Sequence, residues 1–413
     1  MKLSIEILKR ISKTYGDSFY LLSSEQFKRN YSELQKAFRD IYPNTYIAYS
    51  YKTNYIPTLC KIVDKLGGYA EVVSGMECQI ATKVGVNPLN IFFNGPYKDV
   101  QSVEMLLTQG GTVNIDSQYE LEIIKSVAQK HNKTQLKVGL RCNFNIDDGV
   151  ISRFGFDTAA KEFTDAIDFI RALKNVKLAG LHCHFATRSL DTWPARADGM
   201  LKIVQKHFQE PPEFISLGGG LFGKMDESLK AQFNVRIPEY KQYAASVAAQ
   251  FRNFYKHTNP GKQPKLIIEP GTALAGDVMK FVTKVVNIKD IRGKKIATLA
   301  GSIYNINPTL NKKNPPVTVF HAANNVNRQK SYTDLDFGGY TCIESDYLFR
   351  GFSGKLAIGD FVVFDNAGSY SIVLKPPFIL PNFAIVECKQ KTNRIGLIKR
   401  QETFEDLFRT FRF

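Results

Sequence analysis

The chain predicts an α/β protein: a (β/α)8 TIM barrel followed by a C-terminal β-sandwich or small β-barrel domain. Between residues 44 and 269, short apolar, β-rich runs alternate with longer helical patterns, the signature of parallel strands joined by crossover helices. These runs number eight, over a span close to the ~250 residues of a typical barrel. Beyond Gly271 the alternation stops, and strand runs bounded by Gly, Asn and Pro replace it.

The barrel strands are read as TYIAYSY (45–51), YAEVV (69–73), NIFF (90–93), TVNI (112–115), LKVGLRC (136–142), LAGLHCH (178–184), FISLG (214–218) and KLIIE (265–269). Between them IPTLCKIVDKLG, GMECQIATKVG, DVQSVEMLLTQGG, SQYELEIIKSVAQKH and RADGMLKIVQKHF return apolar residues every three or four positions, as a helix with one buried face requires. The gaps before the sixth and eighth strands have room for a helix and extra loop. After the barrel, KFVTKVVNI, KKIATLAG, PVTVFHA, DFVVFDNA, FAIVECKQ and RIGLIKR read as strands. The early run SFYLLSS is strand-like and precedes the first barrel helix. The expected division is therefore 1–28 as an N-terminal segment contributing to the β domain, 29–275 as the barrel and 276–413 as the β domain.

Composition narrows the class. A chain of 413 residues exceeds one compact core, and 44% hydrophobic with 12% aromatic residues excludes a disordered chain. No stretch approaches the ~20 apolar residues of a membrane span, and MKLSIEILKRISKTYGDSFYLL lacks a secretory pattern, so a cytoplasmic location is expected. Cys60, Cys78, Cys142, Cys183, Cys342 and Cys388 are scattered without a CxxC pair, which argues against structural zinc and a disulfide framework. The net charge of +16 is spread without a dominant cluster, so it reads as a solvated basic surface or an attractor of a polyanionic small substrate rather than a nucleic-acid footprint.

Barrel enzymes place their chemistry at the carboxyl ends of the strands. Those ends carry Lys52, Asn94, Asp116, Arg141, His184, the triplet Gly218, Gly219 and Gly220, and Glu269. A lysine in an apolar setting there can attack an aldehyde. Glycines after the seventh strand let backbone N–H groups approach a phosphate. A buried carboxylate such as Glu269 needs a proton or cation, and a protonated ring nitrogen is one such partner. His182 and His184, two apart in one strand, should share a face; they could begin a metal site, but no third ligand stands nearby, and a ring stacked on a flat cofactor serves His184 equally well.

The motifs YSYKTN, YAEVVSGMEC, IFFNGPYK, VNIDSQYEL, SRFGFD, GLHCHFAT, LGGG, EPG, CIESD and DNAGSYS, in this order, resemble the fold-type III pyridoxal-phosphate decarboxylases, the group of diaminopimelate, ornithine and arginine decarboxylases related to alanine racemase. The resemblance covers nearly the whole chain. It implies that Lys52 is joined covalently to pyridoxal 5'-phosphate and that His184 stacks on the ring. It further implies that Gly218, Gly219, Gly220 and Tyr370 hold the phosphate and that Glu269 pairs with the ring nitrogen. Cys342 and Asp346 would reach across a homodimer interface, the cysteine as proton donor and the aspartate toward a distal amine of an amino-acid substrate.

The departures bear on that substrate. The family's EPGR is EPGT here, with Thr272 in place of an arginine, and an RPxLY pattern reads NPTLN, with Asn307 and Asn311 for the arginine and tyrosine. A neutral side chain cannot replace a guanidinium fork on a distal carboxylate, which argues against simple diaminopimelate. HFAT stands where HxGS is usual, leaving Thr187 as the hydroxyl, and CIESD presents Glu344 and Ser345 differently from CESxD; Arg141 completes the expected substrate contacts. The expected activity is α-decarboxylation of a diamino acid or amino-acid conjugate in a specialised, siderophore-like or polyamine-like pathway. The alternative on the same fold is an amino-acid racemase, which pairs an arginine with the ring nitrogen where this chain has Glu269. A non-catalytic homologue would have lost the lysine, the cysteine or the glycines, and all are present.

Overall fold

A computed structural model describes residues 3–306, 313–322, 330–389 and 394–413. It divides into two compact units, one formed by Lys28–Phe222 with Val235–Leu274, the other by Met1–Phe27, Gly223–Asn234 and Ala275–Phe413.

In the first unit the eight expected runs form strands Thr45–Ser50, Tyr69–Val72, Ile91–Phe93, Thr112–Ile115, Leu136–Asn143, Val176–His182, Phe214–Ser216 and Lys265–Ile268. All pair in parallel with their neighbours. The ring closes because the first strand pairs with both the second (Ala48↔Tyr69) and the eighth (Leu266↔Thr45). The five helical patterns form Pro57–Lys65, Gly75–Val84, Val100–Thr108, Gln118–Lys130 and Trp193–His207, and the two long gaps hold Lys161–Ala172 and Tyr240–Phe254. Their ends follow local rules: Ser74 Oγ accepts the Glu77 N–H, Asp99 Oδ1 accepts the Ser102 N–H, and Gly85 closes its helix at φ +90°.

The barrel interior is layered. Ala48, Tyr69, Phe92, Ala179, Phe214 and Ile267 form a buried plug, with Phe92 and Phe214 ring centroids 4.8 Å apart. Gly139 and Gly180 make room for it, since a Cβ would lie 2.9 Å and 2.5 Å from the Phe214 ring. Side chains alternate along a strand. Two residues beyond Tyr69, Phe92, Phe214 and Ile267 stand Glu71, Asn94, Ser216 and Glu269, all buried, so the apolar plug is the floor of a polar layer.

The second unit is a mixed sheet. Strand Ser18–Leu22 lies between Met279–Ile291, antiparallel (Ser18↔Thr283), and Ala384–Lys389, parallel (Phe19↔Ala384). Leu8 and Ile11 of helix Ile5–Tyr15 pack with Phe19, Leu21, Val282, Phe361 and Val386 as its core. Two strands here, Lys330–Gly338 and Tyr347–Leu356, are absent from the sequence reading. Their pairing is interrupted by register shifts, and Gly351 and Gly354 break the alternation that would have marked them. Five cysteines are buried and Cys342 is exposed; all are free. No helix among the described residues is long and apolar enough to cross a membrane.

Candidate functional site

The polar layer at the barrel mouth is one connected network. Lys52 follows the first strand in a short 3-10 turn, Tyr51–Thr53, and its Nζ donates to Glu71 Oε2. The lysine side chain is 34% exposed while Glu71 is 1% exposed, so the amine stands at the rim over a buried base. Asn94 Nδ2 donates to Glu71 Oε1 and to Glu269 Oε1, both at 3.1 Å. Asn114 Nδ2 fixes that amide by donating to Asn94 Oδ1 at 2.7 Å.

Glu269 also accepts from Ser216 Oγ at 2.8 Å, and His182 Nε2 lies 3.2 Å from its other oxygen. Burial alone would raise its pKa; the charge and hydrogen bond of His182, helped by Lys52 and Ser216, bring it down to about 2. The mouth therefore holds a buried, ionised carboxylate. Because the folded pKa lies below the ordinary 4.5, its contribution to stability is complete above pH ~5 and lost as pH falls toward 2.

The two histidines meet different partners. The strand ends at His182, which turns into Glu269. His184 lies beyond the strand end, where its Nδ1 accepts the Gly219 N–H at 2.9 Å. An accepting Nδ1 means a ring whose proton sits on Nε2. Burial, then the charges of Lys52 and Arg141, push its pKa well below the usual histidine value, so the ring is neutral. Among the described residues no group of three or more His, Cys, Asp or Glu side chains is placed to hold a metal.

The glycine triplet is a cradle that side chains would fill. A Cβ on Gly218 (φ +68°) would lie 2.4 Å from the Cys183 carbonyl oxygen, and one on Gly219 would lie 2.4 Å from that of Glu269. Arg196, wholly buried, anchors this loop through Nη1 to the Gly219 carbonyl at 2.8 Å and through Nη2 to that of Thr187. Thr187 itself donates its hydroxyl to Asp148 at 2.5 Å, so its carbonyl, not its hydroxyl, faces the cradle. Gly218→Ala should weaken cofactor retention about 10-fold to 100-fold through ~1–3 kcal/mol of backbone strain, measured by spectroscopic titration of the apo form.

Arg141 is placed inside the mouth rather than free at its rim: it donates to Asp116 at 2.7 Å and lies over Phe154. In the second unit, Cys342, Glu344 and Ser345 are exposed on one loop. Asp346, expected at a substrate amine, is committed to that loop. Its oxygens accept from Ser302 Oγ (3.0 Å), Ile303 N (2.8 Å), Thr341 N (3.2 Å) and Thr341 Oγ1 (2.6 Å), which makes it the loop's anchor. Tyr370 is held at φ +64°, a strained backbone of the kind found at ligand contacts. Asn307 and Asn311 lie outside the described residues.

Sequence reading missed Glu71, Asn114, Ser216 and Arg196. The signal for the first three was present, as polar residues at alternate positions of otherwise apolar barrel strands. Arg196 gave none, since a helical arginine is ordinarily solvated.

Pyridoxal phosphate working as a full electron sink calls for an accessible amine, a phosphate cradle free of Cβ atoms, an ionised carboxylate for its ring nitrogen and a flat neutral face. The barrel unit supplies all four, and the residues present fit the group.

The comparisons agree. The family described as "Pyridoxal-dependent decarboxylase, pyridoxal binding domain" matches residues 25–276. The diaminopimelate decarboxylase of Aquifex aeolicus is 26% identical over 96% of this chain and 92% of its own length, and that of Methanocaldococcus jannaschii 25% identical over 96% and 91%. The crystal structure of the M. jannaschii diaminopimelate decarboxylase superposes with a TM-score of 0.86 at 24% identity, covering 98% of this chain and 94% of that one. The arginine decarboxylase of Paramecium bursaria Chlorella virus gives 0.75 at 20%, covering 92% and 98%. These structural likenesses establish the fold. With the family match spanning the barrel and its polar mouth, this chain belongs to the pyridoxal-dependent decarboxylases, carboxy-lyases that use pyridoxal phosphate to remove CO2 from an amino acid.

Proposed function

We propose that the chain α-decarboxylates a diamino acid or an amino-acid conjugate in a specialised biosynthetic pathway, and that the working unit is a homodimer. The observation that carries the decarboxylase over the racemase is Glu269: a buried carboxylate with its pKa near 2 would keep the ring nitrogen of bound pyridoxal phosphate protonated. Thr272 in place of arginine is what turns the substrate away from the diaminopimelate named for the relatives.

Pyridoxal phosphate, when bound, supplies an electron sink for the pair left as the carboxylate departs. The chain's own residues do the rest. Lys52 holds the cofactor and moves protons at the substrate nitrogen, with Glu71 as its acceptor. His184, neutral and pinned by Gly219, supports one ring face, and the cradle backbone binds the phosphate. Cys342 delivers a proton to the α-carbon, while Glu344 and Ser345 flank the substrate arm.

The test is CO2 release over a panel of diamino acids and their conjugates, with chiral analysis of recovered substrate. Racemisation without gas would replace this reading by the racemase. Cys342→Ala should lower amine formation about 10²-fold. Mixing inactive Lys52→Ala and Cys342→Ala subunits should restore roughly a quarter of wild-type activity if each site takes its cysteine from the partner. No recovery on mixing would rule out shared sites.

A further inference from the structure

Arg196 anchors the glycine loop, but an anchor does not require a charge, and the surroundings of this one argue against a charge. It lies near the N-terminus of helix Trp193–His207, where the helix dipole disfavours a cation. The residue is 0% exposed. Besides the two carbonyls it bonds, its guanidinium carbon lies 4.5 Å from the Trp193 ring centroid and 5.6 Å from that of Phe185, and Nε is buried without a partner. Asp148, a carboxylate whose charge reaches it, is bonded to the Thr187 hydroxyl at 2.5 Å, and no ion pair joins it to Arg196 among the described residues. Burial brings the arginine down to about 10, with Cys183, Asp148 and Tyr243 opposing the shift, so the charge persists at neutral pH. A neutral donor would satisfy the same carbonyls without burying a cation.

The bond to Gly219 shows where a counter-ion belongs. The Gly219 carbonyl and the Gly220 N–H are two ends of one peptide unit, so a cation on the oxygen polarises the amide and strengthens that N–H as a donor. The other donors of the triplet are spent, Gly218 N–H on Ser216 Oγ at 3.3 Å and Gly219 N–H on His184 Nδ1 at 2.9 Å. The Gly220 N–H has no partner among the described residues, and a Cβ on Gly220 (φ +90°) would lie 3.5 Å from Arg196 Nη1. The Thr187 hydroxyl, expected on the phosphate, is given to Asp148.

We propose that Arg196 is a positioning residue for the cofactor: the buried counter-charge of its phosphate, acting through the Gly219–Gly220 peptide rather than by contact. This rests on the proposed seat of the phosphate in the glycine cradle, and the test separates the two.

Pyridoxal phosphate and pyridoxal share a ring and an aldehyde and differ in the phosphate. Each is titrated by absorbance into the full-length chain stripped of cofactor. Arg196→Gln keeps a donor for the carbonyls and removes the charge; it should lower the preference for the phosphorylated form about 10-fold or more, with pyridoxal affinity changed less than about 2-fold. Arg196→Lys keeps the charge and should keep most of the preference. A loop anchor alone predicts instead that both affinities fall together.

Phosphorus NMR adds a reading that needs no variant. In the wild-type holoenzyme the phosphate should remain a dianion to well below its free second pKa of ~6, and in Arg196→Gln its protonation should move back toward that value. If the glutamine variant does not fold, the wild-type phosphorus titration carries the test. An equal preference in wild type and Arg196→Gln, a joint fall of both affinities, a lysine variant that loses the preference as fully as the glutamine one, or a wild-type phosphate that titrates as the free cofactor does would each overturn the role of Arg196. Gly220→Ala checks the seat: it should also reduce the preference. Loss in Gly220→Ala with none in Arg196→Gln rejects Arg196 alone, and an unchanged preference in Gly220→Ala rejects the cradle and the role of Arg196 with it.

Discussion

Lys52→Ala is expected to abolish the visible absorbance band of the holoenzyme and to lower CO2 release by about 10³-fold or more. The expectation comes from position as much as residue type. Lys52 is the side chain at the mouth that combines a nucleophilic amine, partial exposure and a buried carboxylate within bonding reach. Removing it also leaves Glu71 without its cation, so a fall in stability must be separated from loss of chemistry. Because the amine is partly solvated, that fall should be modest, on the order of 1 kcal/mol. Lys52→Arg is the control: it restores a charge beside Glu71 without an amine that can condense with an aldehyde. A well-folded arginine variant that retained the band would overturn the assignment of this residue.

Glu269→Gln should lower kcat by about 10²–10³-fold while leaving the cofactor bound. The substitution keeps the shape of the side chain and its contact with Ser216, but removes the charge proposed to hold a proton on the cofactor's ring nitrogen. It also removes the carboxylate beside His182 Nε2. A second signature follows from the depressed pKa. Wild type should lose stability between about pH 4.5 and 2 as the carboxylate is protonated, and the glutamine variant should lack that component in acid melts. An unchanged kcat would mean that the ring nitrogen does not depend on this carboxylate.

The barrel was legible because its strands are short apolar runs with polar punctuation, and that pattern depends on neighbours along the chain. Lys52, Glu269 and the glycine triplet were legible for the same reason, each standing at the end of a recognisable strand. The two strands after residue 329 were not, since bulges and glycines erase the period of two on which strand recognition depends. Asp346 shows the limit in chemistry. Its spacing from Cys342 marks it as part of the motif, yet four hydrogen bonds assign it to the loop.

The amino-acid order by itself determined the eight-strand count, the amine, the carboxylate at the last barrel strand and the glycine loop, because each is written in local alternation and in residue type. Only the tertiary structure decided which polar groups meet. It brought Glu71 to Lys52 across adjacent strands, Asn94 and Ser216 to Glu269 around the barrel, and Arg196 beneath the glycine loop. The reason is physical: alternation fixes which face a side chain occupies, but burial, pairing and the resulting charge state depend on groups tens or hundreds of residues away.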